Sequence, residues 1–300
     1  MSIEPSNNKA VIALGFFDGV HRGHAQLINM AKQRAAELKA QPAVLSFDAS
    51  PESVITGHQV PLIGSMETRA DIVRRVYGVE KVIFYHFDRK IMAMPWKEFI
   101  DSLVYEFKAI HFVIGHDFHC GYKGEGNPDR ISAYCSELGV GCDIIPKFTL
   151  DDITVSSTYI RGLIAGGDIE RANYFLGHPY IFSGEVTAGH KVGRSLGTPT
   201  INLKCPQDLI LPANGVYATR VLLDEKTLPA VTNVGVRPTF DDKDELCMET
   251  HILDFNGNLY GKHVTIEFYK FIRSEKRFSD PQKLKEQIAK DAELAREIVS

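Results

Sequence analysis

A change of pattern at Gly177-His178-Pro179 constrains this chain more than any other feature. Before it, short apolar runs at 10–15, 43–47, 81–85, 112–115 and 143–146 alternate with helical segments. The runs are mostly continuous rather than alternating, which predicts parallel strands buried on both faces. After the first run, Leu27, Ile28, Ala31, Ala35 and Leu38 recur at helical period. Strand, helix, strand at roughly 30-residue spacing predicts a doubly wound α/β sheet. Past the change, β-rich runs at 181–187, 216–223, 230–234, 248–253 and 263–269 are separated by turn residues, as at 212–215, 241–242 and 255–258. The shorter gaps hold no crossover helix, so an antiparallel barrel or sandwich is expected. A last helix closes the chain. Asp280 can cap it, Pro281 sits at its first position, and Leu284, Ile288, Ala292, Ala295 and Val299 line one face. The expected fold is α/β plus β: a Rossmann-like domain with a parallel sheet over 1–178, then an antiparallel β-barrel with a closing helix over 179–300. A length of 300 residues suits two domains of about 150 each.

Composition excludes several classes. With 44% apolar residues the chain is not disordered. Lys and Arg number 34 against 38 Asp and Glu, a net charge of −4 that argues against wholesale nucleic-acid binding. No apolar run approaches the ~18 residues of a membrane span, and the polar start MSIEPSNNK lacks a signal-peptide pattern. The cysteines are Cys120, Cys135, Cys142, Cys205 and Cys247. An odd count with no C-x-x-C spacing predicts neither a disulfide framework nor a zinc site. A cytoplasmic protein without membrane or nucleic-acid partners is expected.

The first run leads into Gly15-Phe16-Phe17-Asp18-Gly19-Val20-His21-Arg22-Gly23-His24 and then a helix. Gly15, Gly19 and Gly23 let backbone come close to a ligand. Free N–H groups at a helix start favour phosphate. His21 and His24 are three apart, so on a helical turn they share a face. Two imidazoles aimed at one phosphate can donate to its developing charge. The competing reading is a helix start with two surface histidines. A zinc pair lacks an evident third ligand. Ser157 and Thr158 open a later helix, and Arg161 one turn in offers a fork of donors; an N-cap with a surface Arg is the plainer reading of that motif.

These motifs resemble a known family. The H-x-G-H after the first strand is similar to that of nucleotidyltransferases, and the longer G-F-F-D-G-V-H-R-G-H resembles bacterial FAD synthetases, as does Ser156-Ser157-Thr158-Tyr159-Ile160-Arg161. The resemblance implies a nucleotidyltransferase-like first domain. It implies catalytic roles for His21, His24 and Arg161, with ATP phosphates at Gly15, Phe16, Asp18, Gly19, Gly23, Ser157 and Thr158. Two positions depart from the family. Ser50 stands where a Pro-His-Pro stretch has its His, and His119 where an F-R-F-G loop has its Arg. Both changes remove possible donors. Asp117 matches a family position at the flavin site's rim.

In the second domain, Gly189, Gly193 and Gly197 form a loop able to wrap phosphates, ending in Thr198-Pro199-Thr200-Ile201-Asn202. The oxygen ligands of Thr200 and Asn202 can face one magnesium ion, which needs few protein ligands beside phosphate. An ordinary glycine-rich hairpin is the alternative. The loop resembles the riboflavin kinase motif G-R-x-x-G-x-P-T-x-N, with Arg194 at its arginine. Segments at 214–217, 233–240, 249–252 and 259–261 follow in the family's order. The resemblance makes Glu249 the general base and places ATP at Gly189, Gly193, Arg194 and Gly197. By pattern alone a Glu in a strand is usually an exposed cross-strand partner. Taken whole, the chain resembles bacterial bifunctional riboflavin kinase/FAD synthetases. The implied reactions use ATP with Mg²⁺, convert riboflavin to FMN, and convert FMN to FAD with release of pyrophosphate. A monofunctional kinase with an impaired adenylylating half, and a non-catalytic flavin- or nucleotide-binding regulator, are the alternatives. His111, His116 and His119 share no fixed face and are not read as metal ligands. Cys120 is expected to be an inert thiol and Trp96 a core anchor.

Overall fold

The computed structural model describes residues 9–187, 199–223, 226–238, 244–276, 278 and 280–299. They form two compact units, 1–60 with 69–156 and 61–68 with 157–300.

The first unit is built on five parallel strands in the order β3-β2-β1-β4-β5. They are β1 (Ala10–Leu14), β2 (Gln41–Phe47), β3 (Lys81–Tyr85), β4 (Ala109–Gly115) and β5 (Gly141–Ile145). Every residue of β1 is buried, as its continuous apolar run predicts for a central strand. Helix α1 (Arg22–Leu38) buries Ala25, Leu27, Ile28, Ala31 and Ala35, and stops where Lys39 turns left-handed at φ 50°. Its other face carries Arg34, which donates to Asp143 at 2.7 Å. His111 shares the same carboxylate at 2.9 Å. That pairing places His111 in a structural network on β4 and β5. Helices α2 (Pro51–Thr56), α3 (Met66–Tyr77), α4 (Arg89–Ala93), α5 (Trp96–Phe107) and α6 (Pro128–Glu137) follow. Trp96 opens α5, packs against the core, and meets Tyr134 edge-on at 5.5 Å.

A small hairpin of β6 (Thr149–Leu150) and β7 (Ile153–Thr154) ends the first unit. Helices α7 (Ser157–Ala165) and α8 (Ile169–Leu176) belong to the second. The packing boundary therefore falls at 156/157, ahead of the change of pattern near 178. The cause is side-chain pairing. Asn173 on α8 donates to Phe268 O at 2.8 Å and accepts from Tyr180 N at 2.7 Å, so this helix is fastened to the strands that follow.

Those strands close into a barrel in the order β10-β11-β12-β9-β8-β13, antiparallel at every pairing. They are β8 (Tyr180–Thr187), β9 (Ile201–Leu203), β10 (Gly215–Leu223), β11 (Lys226–Pro238), β12 (Asp244–Ile252) and β13 (His263–Arg273). Closure decides between barrel and sandwich, and it removes the sheet edges. Several strands differ from expectation: β9 lies in what reads as loop, β11 is much longer than 230–234, and β12 and β13 run beyond 248–253 and 263–269 at one end. A buried hydroxyl ladder crosses three strands: Thr219 to Thr232 at 2.8 Å and Thr232 to Thr250 at 2.9 Å. Thr232→Val is expected to cost about 1–3 kcal/mol, since it takes the partner from the buried Thr250 hydroxyl, whereas Thr219 keeps its bond to Ala230 O at 3.1 Å. Denaturant unfolding checks this, and an unchanged midpoint contradicts it.

Helix α9 (Pro281–Val299) covers the barrel, capped by Asp280 Oδ1 accepting from Gln282 N at 2.9 Å. Asp291 is buried on this helix in a forked ion pair with Arg273 at 2.7 Å.

Candidate active site

The turn between β1 and α1 winds through three left-handed residues, Phe17 at φ 55°, Gly19 at 74° and Val20 at 42°. For a β-branched residue such as Val20 that conformation costs of order 1–3 kcal/mol. It delivers the buried Asp18 and His21 to the end of β1. His21 caps α1: its Nδ1 accepts from His24 N at 3.2 Å, which assigns its proton to Nε2. The His21 and His24 rings stack with centroids 3.6 Å apart and planes 9° from parallel. The glycine between them leaves room for this stack, because a Cβ at Gly23 would lie a tight 3.1 Å from the His21 ring. Gly15 is similarly pressed, with Phe17 3.1 Å from where its Cβ would be.

Burial, then the neighbouring His21, then the Arg69 guanidinium hold His24 well below the ordinary histidine range, so the ring is neutral at pH 7. Its Nδ1 is buried and finds no hydrogen-bond partner among the described residues. A buried lone pair is tolerated better than a buried orphan N–H, so the proton sits on Nε2. The pair can therefore donate from two Nε2–H groups.

A cavity of about 600 Å³ opens past the strand ends, lined by Phe47, Phe87, Phe99, Ile91, Tyr122 and His119. Its size is that of a small-molecule site, and the carboxyl ends of parallel strands are where such sheets bind ligands. Pro51 also lines it, and Ser50 just before is the cap of α2, accepting from Ser53 N at 3.3 Å. Cys120 also lines it, its thiol pushed up to about 12 by burial. Asp117 is exposed on the loop after β4, and His119 hydrogen-bonds its carbonyl at 2.9 Å. Pattern reasoning missed Arg69 here; its place in the site depends on three segments that the sequence does not bring together.

Ser157 and Thr158 open α7, and Arg161 Nη2 donates to Thr158 Oγ1 at 3.1 Å. These three residues sit together, in the second unit.

In the barrel, strand register does the assembling. Glu249 on β12 lies directly opposite Asn202 on β9 and Asn233 on β11. Directly opposed residues share a face, about 4.5–5.5 Å apart at Cβ. His251 reaches Pro199 O at 2.9 Å and holds the segment leading to Thr200. Thr200 and Glu249 line one cavity of about 250 Å³ with Asn233, Arg273, Leu284 and Ile288. Thr200 and Asn202 line a second of about 180 Å³ with Phe255, Asn258, Leu259 and Tyr260. Thr200 thus touches both cavities. The donors are hard neutral oxygens beside a carboxylate, a set that suits magnesium sharing its shell with phosphate and water. Gly189, Gly193, Arg194 and Gly197 lie outside the described residues.

A parallel sheet ending in a glycine–histidine turn, followed by a closed barrel with opposed Glu and Asn over two cavities, defines a two-domain phosphate-transferring enzyme. The FAD synthetase family pattern matches residues 3–159 and the riboflavin kinase pattern residues 176–299. A bifunctional riboflavin kinase/FMN adenylyltransferase of Bacillus subtilis (strain 168) is 36% identical, over 98% of this chain and 93% of its own. Those of Escherichia coli (strain K12) and Pseudomonas fluorescens are 33% and 32% identical, over 96% and 100% of this chain and 92% and 96% of theirs. The chain belongs to the bifunctional riboflavin kinase/FMN adenylyltransferase family. A solved structure described as a macrolide-efflux protein from Streptococcus pneumoniae shares the fold, with a TM-score of 0.85 and 28% identity over 97% of this chain and 95% of that one. Among the described residues no helix is long and apolar enough to cross a membrane.

Proposed function

We propose that the family's two activities are divided between a module at 1–178 that adenylylates FMN and a module at 179–300 that phosphorylates riboflavin. The opposition of Glu249 and Asn202 beside Thr200, between two cavities, carries the kinase assignment. Riboflavin occupies the cavity with Glu249 and ATP the one with Tyr260. Glu249 takes the proton of the ribityl 5′-hydroxyl as that oxygen bonds to the γ-phosphorus, and ADP leaves with the bond it breaks. Thr200 and Asn202 would hold Mg²⁺, which supplies charge neutralisation on the phosphates when bound. The glycine loop with Gly189, Gly193, Arg194 and Gly197 keeps its ATP role from the resemblance.

In the other reaction an FMN phosphate oxygen bonds to the α-phosphorus of ATP, and pyrophosphate leaves. That nucleophile is already ionised, so the step needs donors more than a base. His21 and His24 supply two, aided by backbone at Gly15, Phe16, Gly19 and Gly23 and with Asp18 beneath the turn. The apolar cavity of about 600 Å³ takes the flavin ring, and Asp117 keeps a flavin role that rests on its motif. Ser157, Thr158 and Arg161 carry a pyrophosphate role that rests on their motif. The partners are ATP, riboflavin, FMN and FAD, and no nucleic acid; the cytoplasm supplies all four.

The test is incubation with riboflavin, ATP and magnesium, resolving FMN from FAD. FAD supports both assignments. FMN alone leaves the kinase only, with Ser50 and His119 the first suspects; neither product favours a regulator. Asn202→Ala is expected to weaken the kinase about 10–100-fold and to raise its magnesium requirement. Unchanged magnesium and ATP titrations contradict that placement.

A further inference from the structure

Arg69 is 1% exposed in the first unit, and no motif quoted above uses it. Its Nη1 donates to Phe16 O at 2.8 Å and to Ser46 Oγ at 2.6 Å, and its Nη2 to Phe47 O at 3.1 Å. Ser46 Oγ donates to the same Phe16 carbonyl at 2.7 Å. The guanidinium also lies over the Phe16 ring at 4.7 Å and the Phe84 ring at 5.2 Å. One side chain on α3 thereby joins the turn after β1, the end of β2 and β3. Burying a cation is costly, and a well-packed apolar side chain of similar volume is often no worse for stability. The charge and the fork call for another reason. Phe16 precedes Phe17, whose ring packs 5.0 Å from that of His24.

We propose that Arg69 is a positioning residue for adenylyl transfer: its buried fork locks the turn carrying His21 and His24 against the end of β2, and its fixed charge backs that pair. This rests on the reading of His24 as a phosphate donor. Around the pair, His21 stacks on His24, Asp18 is buried in the connecting turn, Arg22 follows His21, and α3 brings Arg69 and Tyr77, whose hydroxyl donates to Val20 O at 3.4 Å. Burial opposes a proton on His24 first, and the neighbouring His21 and the Arg69 cation oppose it further. A neutral His24 keeps Nδ1 bare in its enclosed position and offers Nε2–H to an incoming phosphate. Rigid geometry matters as much, because misplacing a catalytic group by about 1 Å can cost on the order of a hundredfold.

The experiment compares the full chain with Arg69→Met and Arg69→Lys. Histidine NMR titration, with the His24 signal assigned from its loss in His24→Ala, needs no turnover. In Arg69→Met the His24 titration should move to higher pH, and kcat for FMN adenylylation should fall about tenfold or more. In Arg69→Lys the charge remains, so the titration should stay near wild type. Lysine cannot fork to both carbonyls, so kcat for adenylylation should still fall about tenfold with the KM for FMN little changed. If the methionine variant does not fold, the lysine variant still decides: a wild-type kcat overturns the proposal. An unmoved His24 titration in folded Arg69→Met overturns it as well. A moved titration with a wild-type kcat in folded Arg69→Met overturns the positioning role.

Discussion

Glu249→Gln is expected to lower FMN formation from riboflavin by about 10²–10⁴-fold, the usual cost of losing a general base. FAD formation from added FMN should run at the wild-type rate. The asymmetry follows from the two nucleophiles. A ribityl hydroxyl is a poor nucleophile until a base takes its proton, and Gln cannot accept one. An FMN phosphate oxygen carries its charge already. Gln preserves the shape of Glu and one oxygen, and it faces the same Asn202 and Asn233 across the register. The loss should therefore lie in kcat rather than in KM for riboflavin. Purified variant assayed for each half-reaction separately is the measurement. Wild-type kinase turnover removes Glu249 from the proton transfer.

The parts that were legible in the sequence are local. Four of the five parallel strands are an apolar run with a helix after it, and both signals lie within about 30 residues; β5 leads into a hairpin instead. The glycine turn is legible for the same reason: Gly23 between His21 and His24 is one helical turn of sequence, and its purpose in letting the rings stack needs no distant partner. The cap at Asp280 also declares itself.

What was not legible is pairing over distance. β9 has three residues with the polar Asn202 at its centre, too short to show a period. It becomes a strand because β8 and β12 flank it. Glu249 shows no function by pattern, since its meaning depends on the register of three strands; the family resemblance supplied what the pattern could not. Asp291 interrupts the apolar face of α9, where a carboxylate argues for solvent. Its burial is explained by Arg273, 18 residues earlier. Arg69 reads as one more charge on a helix rich in them, and only the fold brings Phe16, Ser46 and Phe47 around it. Helices α7 and α8 are helical like the first half and so read as part of it, although Asn173 binds α8 to the barrel strands.

His24→Ala is expected to lower FAD formation from FMN by about 10²–10³-fold, the cost of one preorganised donor to developing phosphate charge. Riboflavin phosphorylation should continue unchanged, because Thr200, Asn202 and Glu249 stand on the barrel's own strands. The substitution has a second, smaller consequence that can be told apart. His24 N still donates to His21 Nδ1, so the cap of α1 survives. The stacked ring does not, and His21 loses its neighbour at 3.6 Å. His24→Gln separates the two effects: it restores a side-chain donor without an imidazole. If donation is what matters, Gln should recover part of the loss; if the neutral aromatic ring is needed to hold His21, it should not. The wild type must be run first, since Ser50 and His119 replace two family residues in this half. A wild type that makes FAD, beside a His24→Ala that makes it equally fast, would show that the histidine pair is only the start of a helix.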